Sequence, residues 1–287
     1  KEALFAWPDL QVAVINVDDE KGAQLAKHLE NKLLNANKEL DIWTCSSQNK
    51  AARLQAKGLK RNLTGLYFEV VEGTQVLPLQ TALMGDYNID NLLGVIGSLR
   101  ALGFDLAQAV QACAHLSAVP GRMQRVRLGQ EPSLQADVDA GLPLVLVDYA
   151  HTPDAIVHAL SALRSQARLR GGHLWCVLGC GGDRDALKRP LMAAAAEASA
   201  DRVKLTSDNP RSESPEAILA AMVEGLKRPS QALVQADRAL AIAQVLAQAA
   251  TQDVVLVAGK GHETEQDIMG VSSIFPARFF PRTNPRF

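Results

Sequence analysis

The sequence predicts an α/β protein whose second half is built on a mostly parallel sheet. Two observations predict it. From about Val119 onward, short apolar runs at residues 144–147, 174–178, 203–205, 232–234 and 254–257 alternate with segments of helical spacing at 154–167, 185–198, 215–226 and 238–249. Short strands alternating with helices of that length argue βαβ units. The runs are also continuous rather than alternating in polarity, so both faces of the sheet are covered.

The first part reads differently. Residues 11–15 form a short apolar run of strand type, and the acidic residues from Asp18 open a helix with Leu25, Leu29 and Leu33 on one face. Carboxylates at a helix start favour the macrodipole. Residues 66–71 and 75–79 flank Glu72-Gly73-Thr74, which is a hairpin signal. Residues 88–102 read as a helix with Leu92, Leu93, Ile96 and Leu99 on one face, and residues 105–116 read as another. Val119-Pro120-Gly121-Arg122 is strong punctuation between the parts. The expected units are therefore 1–118 and 119–287. A chain of 287 residues is also about two domains long, at roughly 150 residues each.

Composition narrows the function classes. The chain is 47% hydrophobic and 21% charged, which excludes a disordered or fibrous protein. The net charge of −1 disfavours nucleic acid as the main partner. No apolar run approaches the roughly 18–20 residues that span a bilayer, and residues 1–10 hold no signal-peptide core. Cys45, Cys113, Cys176 and Cys180 form no CxxC pair, which fits buried thiols in a reducing cytoplasm.

Open parallel sheets bind ligands outside the carboxyl ends of their strands. Four of the five runs end in polar clusters there: Asp148-Tyr-Ala-His-Thr-Pro-Asp154, Gly179-Cys-Gly-Gly-Asp-Arg184, Thr206-Ser-Asp-Asn-Pro-Arg211 and Ala258-Gly-Lys-Gly-His-Glu263. Each has a functional and a plainer reading. Gly179, Gly181 and Gly182 let backbone approach an anion or simply make a tight turn. Arg184 and Arg211 carry planar forks suited to carboxylates, or pair with surface acids. Asn209 and Arg211 flank Pro210, which stiffens the loop, and Ser214-Pro215 looks like an N-cap and first helical turn. Glu263 can receive an ammonium or be a solvated charge. Lys260 contacts a phosphate or is exposed. His151 is a functional group or a structural hydrogen bonder. Asp148 binds a ribose hydroxyl or a metal, or caps a helix. In the first part, Asn88 and Asn91 open a helix after Met84-Gly-Asp86; they read a base or ribose edge, or Asn88 is an N-cap. A Walker A loop is absent, and Gly259-Lys260-Gly261 does not match one. Taken alone, these residues describe an anion- and zwitterion-binding α/β protein and no particular reaction.

As an ordered set the clusters go further. The chain resembles the Mur ligases, and among them the enzymes that add diaminopimelate to the peptidoglycan precursor. The resemblance is carried by Met84-Gly-Asp-Tyr-Asn-Ile-Asp-Asn91, Pro120-Gly-Arg-Met123, Val147 to Asp154, Gly179 to Asp185, Lys188-Arg-Pro-Leu-Met192, Ser207-Asp-Asn-Pro-Arg-Ser-Glu213 and Ala258 to Glu263. It runs from about Lys1 to Gly270. It implies part of a central ATP-binding domain at 1–118, followed by a Rossmann-like, amino-acid-binding domain at 119–287.

The resemblance also implies a reaction. ATP phosphorylates the D-glutamate carboxylate of UDP-N-acetylmuramoyl-L-alanyl-D-glutamate, the amine of meso-diaminopimelate attacks, and phosphate leaves. Mg²⁺ neutralises the crowded oxyanions. By match, Arg184, Asp208, Asn209, Arg211, Gly259 and Glu263 hold the amino acid. Asn88, Asn91, Arg122, Asp148 and His151 line the nucleotide site, and His151 is also catalytic. Lys1 resembles the family's carbamylated lysine, which is a catalytic and magnesium-binding group. The expected protein is a cytoplasmic monomer without nucleic-acid partners. A non-catalytic amino-acid- or nucleotide-binding module and an L-lysine-adding ligase are the alternatives; Arg211 argues against lysine, which lacks a second carboxylate. The family's N-terminal UDP-binding domain and P-loop segment have no counterpart in these residues, so the chain by itself is expected not to turn over ATP. Residues 271–287 do not match the family's C-terminal helix.

Overall fold

The computed structural model describes residues 2–5, 7, 9–35, 40–48, 50–126 and 142–274. Lys1 and residues 275–287 of the atypical tail lie outside them. The chain divides into two units, Lys1–Ser117 and Ala118–Phe287.

In the first unit, after the four-residue helix α1 (Glu2–Phe5), five strands pair in sequence order: β1 (Val12–Asn16), β2 (Asp41–Ser46), β3 (Leu54–Asn62), β4 (Gly65–Glu72) and β5 (Gln75–Thr81). The β1–β2 and β2–β3 pairs are parallel, and the β3–β4 and β4–β5 pairs are antiparallel. The β4–β5 hairpin matches the sequence reading, with Glu72 opposite Gln75. Gly73 sits at a φ of 58°, the left-handed value that a two-residue hairpin turn needs at its first position. Helix α2 (Glu20–Asn35) follows β1, and α3 (Tyr87–Ala101) buries Ile89, Leu92, Leu93 and Ile96. Helix α4 (Leu106–Ala114) starts in a capping box: the Asp105 carboxylate accepts from Gln108 N, and the Gln108 side chain accepts from Asp105 N.

Strands β2 and β3 were not expected. Neither is a continuous apolar run, and β3 has the polar sequence Leu-Gln-Ala-Lys-Gly-Leu-Lys-Arg-Asn, with burial only near its start. Tertiary pairing supplies what propensity lacks. Trp43 on β2 is buried, and the Arg53 guanidinium lies 3.3 Å from its ring centroid.

In the second unit a six-stranded sheet has the order β10-β9-β8-β11-β7-β6. Its strands are β6 (Gln124–Arg125), β7 (Leu144–Asp148), β8 (Leu174–Leu178), β9 (Arg202–Leu205), β10 (Leu233–Val234) and β11 (Val254–Ala258). All neighbours are parallel except the edge pair β6–β7. Every residue of β7, β8 and β11 is buried, as continuous apolar runs require. The intervening helices are α5 (Pro153–Arg170), α6 (Lys188–Ser199), α7 (Pro215–Val223) and α8 (Arg238–Gln248). One sheet face presents Val145, Val147, Trp175, Val177, Val255 and Val257 to Ile242 and Val245 of α8. The alternate residues point to the other face, and α5 and α6 pack against these strands and against each other.

Helix starts follow the sequence signals. Thr152 and Ser214 accept from Ala155 N and Ala217 N just before Pro153 and Pro215, and Asp237 accepts from Leu240 N. A short hairpin of β12 (Glu265–Ile268) and β13 (Val271–Ile274) completes the described chain. It was not expected, because its strands are polar and four residues long.

The end of the sheet opposite the site is held by Asp253, which accepts from His173 N, Trp175 Nε1 and Ala250 N at 2.8, 2.9 and 3.0 Å. Burial pushes its carboxyl up, but these three donors outweigh burial and hold it below its ordinary value. A carboxyl depressed in the folded state stabilises above its unfolded pKa, and that stability is lost as pH falls through the folded value. Asp253→Asn is therefore expected to cost about 1–3 kcal/mol at pH 7. The deficit should shrink as pH falls below about 4, the unfolded value, and down through the lower folded value. Urea unfolding of both proteins, followed by circular dichroism across that range, measures it.

Candidate functional site

β8 and β11 sit side by side, although the chain visits β9 and β10 between them. The crevice outside their carboxyl ends is where an open sheet of this order binds ligands. A cavity of about 440 Å³ opens there. His151, Arg184, Asp208, Asn209, Arg211, Gly259 and Glu263 all line it. Asp148 and Arg122 belong to the same unit but not to its lining, and Asn88 and Asn91 lie in the first unit.

The loop after β9 and the loop after β11 are joined by one buried cation. Lys260 is only 1% exposed, and its ammonium donates to Asn209 Oδ1 at 2.7 Å and Glu263 Oε2 at 3.3 Å. Asp208 Oδ1 lies 3.7 Å from the same nitrogen. Lys260 is thus buried, contrary to the reading that left it exposed. Its four-carbon stem delivers a compact charge into the interior, and three acceptors replace its water. The Asn209 amide nitrogen then donates to Glu263 Oε2 at 2.9 Å, and Asn209 Oδ1 also accepts from Asp267 N at 3.1 Å. This leaves Glu263 Oε1 as the carboxylate oxygen with lone pairs for an ammonium in the cavity.

The glycines after β8 serve packing between loops. A Cβ on Gly182 would come within 1.8 Å of Pro210 O, and one on Gly179 within 2.6 Å of Thr206 O. Backbone of residues 206–210 fills the space a side chain on Gly179 or Gly182 would take, which is the tight-turn reading; Gly181 lines the cavity, with Arg211 Nη1 3.0 Å from where its Cβ would lie. Gly182 N donates to Asn209 O, and the Arg211 guanidinium donates to Gly182 O at 2.6 Å. Arg211 itself takes a left-handed φ of 53°. Its backbone N–H donates to Asp267 O, and its carbonyl accepts from Met269 N. Arg184 is exposed at the cavity edge.

A third arginine of the lining, Arg189, entered the sequence reading only within the Lys188-Arg-Pro-Leu-Met192 segment, without a role. Arg189 is buried and donates to Glu213 Oε1 at 2.7 Å. That bond holds the Glu213 carboxyl below its ordinary range. Its burial on the inner face of α6 is what the sequence does not show, because inner faces are hard to tell once a segment is mostly alanine. Cys180, also in the lining, is pushed up to about 12, by burial first and then by Asp208. It stays a thiol, as read.

Around β7 the geometry is a fastening. Asp148 Oδ2 accepts from Met123 N and Oδ1 from Ala150 N, both at 2.8 Å. Each oxygen keeps further lone pairs. His151 Nδ1 lies 2.8 Å from Tyr149 O; a carbonyl only accepts, so Nδ1 carries the proton and Nε2 is an acceptor. The Arg122 guanidinium stacks over Tyr149, 5.1 Å from the ring centroid. In the first unit Asn88 is not an N-cap. It lies within α3 and reaches back to Met84 O at 2.7 Å, and Asn91 donates to Asn88 Oδ1 at 3.2 Å. Among the described residues no three His, Cys, Asp or Glu side chains converge on a point that could hold a metal ion. No described helix is long and apolar enough to cross a membrane.

Comparison with known proteins agrees with this geometry. Residues 1–99 match the Mur ligase middle domain, and residues 121–261 match the Mur ligase glutamate ligase domain. The chain belongs to the Mur ligase family. A UDP-N-acetylmuramoyl-L-alanyl-D-glutamate--2,6-diaminopimelate ligase of Acidovorax sp. (strain JS42) is 51% identical over 270 residues, covering 94% of this chain and 50% of the relative. A solved structure of a ligase with that same description superposes with a TM-score of 0.67 at 38% identity, covering 95% of this chain and 52% of that one. A Mycobacterium tuberculosis folylpolyglutamate synthase complexed with ADP shares the fold, with a TM-score of 0.59 at 21% identity over 86% of this chain and 52% of that one. The chain spans about half the length of the curated relatives it matches.

Removing the buried ammonium leaves Asn209 Oδ1 and two carboxylates without their cation. Lys260→Met is expected to lower stability by about 3–5 kcal/mol. Denaturant unfolding of the two proteins at pH 7 checks it.

Proposed function

We propose that this Mur ligase chain forms the amino-acid-binding part of an ATP-dependent ligase that adds meso-diaminopimelate to UDP-N-acetylmuramoyl-L-alanyl-D-glutamate. The observation that carries the reading is the charge layout of one cavity: Asp208 and Glu263 stand with the Arg184 and Arg211 guanidiniums around about 440 Å³. Meso-diaminopimelate carries two ammonium–carboxylate centres and needs acceptors and planar forks together. Glu263 takes the ammonium of the non-reacting centre, and Arg211 and Arg184 take its carboxylate through charge-assisted bonds. Asn209 and Asp208 hold those partners in place, and Gly259 gives the centre a close backbone approach. L-lysine offers no second carboxylate and would leave a fork unpaired.

The reaction follows from the substrate chemistry. A carboxylate is a poor electrophile, and ATP supplies the phosphoryl group that makes it an acyl phosphate. The bound amine attacks that carbonyl, the C–N bond forms, the C–O bond to phosphate breaks, and the amine proton departs. His151 Nε2, oriented by the Nδ1 contact to Tyr149, accepts a proton at the cavity edge. Asn88, Asn91, Arg122 and Asp148 serve the nucleotide, with residues 1–118 as part of the ATP-binding domain and 119–287 as the amino-acid domain. Lys1, if carbamylated, would hold magnesium, which would neutralise the crowded oxyanions. The protein acts in the cytoplasm as a monomer.

Titration calorimetry tests the reading on this chain. Meso-diaminopimelate is expected to bind more tightly than L-lysine, and Arg211→Ala to weaken its binding by about 2–3 kcal/mol, the worth of a charged hydrogen-bonded contact. Equal affinity for lysine would favour the lysine-adding reaction. An unchanged affinity in Arg211→Ala would remove that residue from the site.

A further inference from the structure

Arg238 is the first residue of α8, on the sheet face away from α5 and α6, and it lines no part of the cavity. It is nevertheless 2% exposed, and its guanidinium points at the site from behind. Nη1 donates to Ser207 O at 3.1 Å, and Nη2 donates to Ala258 O at 2.7 Å. Ser207 opens the segment that carries Asp208, Asn209 and Arg211. Ala258 is the last residue of β11 and leads into Gly259, Lys260 and Glu263. One planar fork therefore spans the backbones of both loops that form the cavity. Burying a guanidinium costs free energy that two neutral carbonyls alone do not repay well. Its Nε has no partner, and burial lowers its tendency to hold a proton. Asp208 and Glu263 supply the compensating negative field. Those two carboxylates belong to the cavity, so the site and the buried charge stabilise each other.

We propose that Arg238 is a positioning residue for the amino-acid site: its two-pronged grip on Ser207 O and Ala258 O fixes the loop bearing Arg211 against the loop bearing Glu263. The assignment of the ligand as meso-diaminopimelate rests on the preceding section; the grip itself does not. The rigid fork is the essential property, because both carbonyls must be met at once and an ammonium is a single compact point. Lys260 ties side chains of the same loops, and Arg238 ties their main chains.

The test compares the wild-type chain with Arg238→Met and Arg238→Lys, each first shown to be folded by circular dichroism. Amide hydrogen exchange is the primary readout. Protection of residues 206–211 and 258–263 is expected to fall together in Arg238→Met, while β8 and α5 keep theirs. Arg238→Lys should restore one loop more than the other. Unchanged protection in either loop would overturn the grip, and equal loosening throughout the unit would reduce Arg238 to a general core residue. If Arg238→Met does not fold, Arg238→Lys decides instead: lost protection in at least one of the two loops supports the grip, and unchanged protection in both overturns it. Calorimetry is the second readout. Affinity for meso-diaminopimelate is expected to fall about tenfold to a hundredfold, the usual effect of a small displacement in an ordered site. Its preference over L-lysine should fall too, which a mere loss of stability would not cause. Loosened loops with unaltered affinity and preference would overturn positioning. A wild-type chain that binds neither amino acid would overturn the ligand assignment, and the exchange result would still decide the grip.

Discussion

The second unit is organised around one ammonium that has left water. Lys260 enters from the loop after β11 and finds Asn209 and Glu263 at hydrogen-bond distance, with Asp208 just beyond. A buried charge tolerates little freedom in its partners, because an unpaired position costs several kcal/mol. The loops are therefore pinned where the ammonium needs them. Asn209 is oriented by its carbonyl oxygen, which fixes where its amide nitrogen donates. That in turn decides which Glu263 oxygen is used up and which remains. The carboxylate proposed to take the ligand's ammonium is thus half neutralised and aimed in advance, and little of its reorganisation is left for the moment of binding.

Around that cation the three loops behave as one body. The glycine turn after β8 touches the segment after β9 backbone to backbone, and Arg211 closes the contact by donating to Gly182 O. Glu213 reaches Asp183 N on one side and Arg189 on the other. None of these bonds needs a ligand. The arrangement resembles metal sites in which the outer groups fix the orientation of the inner ones.

The parallel sheet was legible because β7, β8 and β11 are buried on both faces, which leaves unbroken apolar runs of four or five residues. The four polar clusters were legible because a parallel sheet sends its strand ends to one edge. β2, β3 and the β12–β13 hairpin were not, since their polar residues are held by neighbours rather than by their own pattern. The partners of Lys260 were also hidden, because a lysine between glycines looks the same whether it faces solvent or the interior. Asn88 misled in the opposite way. Its residue type suits an N-cap, but α3 begins one residue earlier, and its amide turns back to Met84. Nothing in the local sequence distinguishes the two.

Arg211 holds a left-handed backbone with both its N–H and its carbonyl engaged by the β12 end of the hairpin. For a side chain bearing a Cβ, that conformation costs about 1–2 kcal/mol. The amino-acid preference proposed for this site is therefore written partly in the main chain. A lineage drifting toward another substrate would meet the dihedral angle before the chemistry. Glycine and asparagine are the easy exits from this position, and β-branched residues are the closed ones.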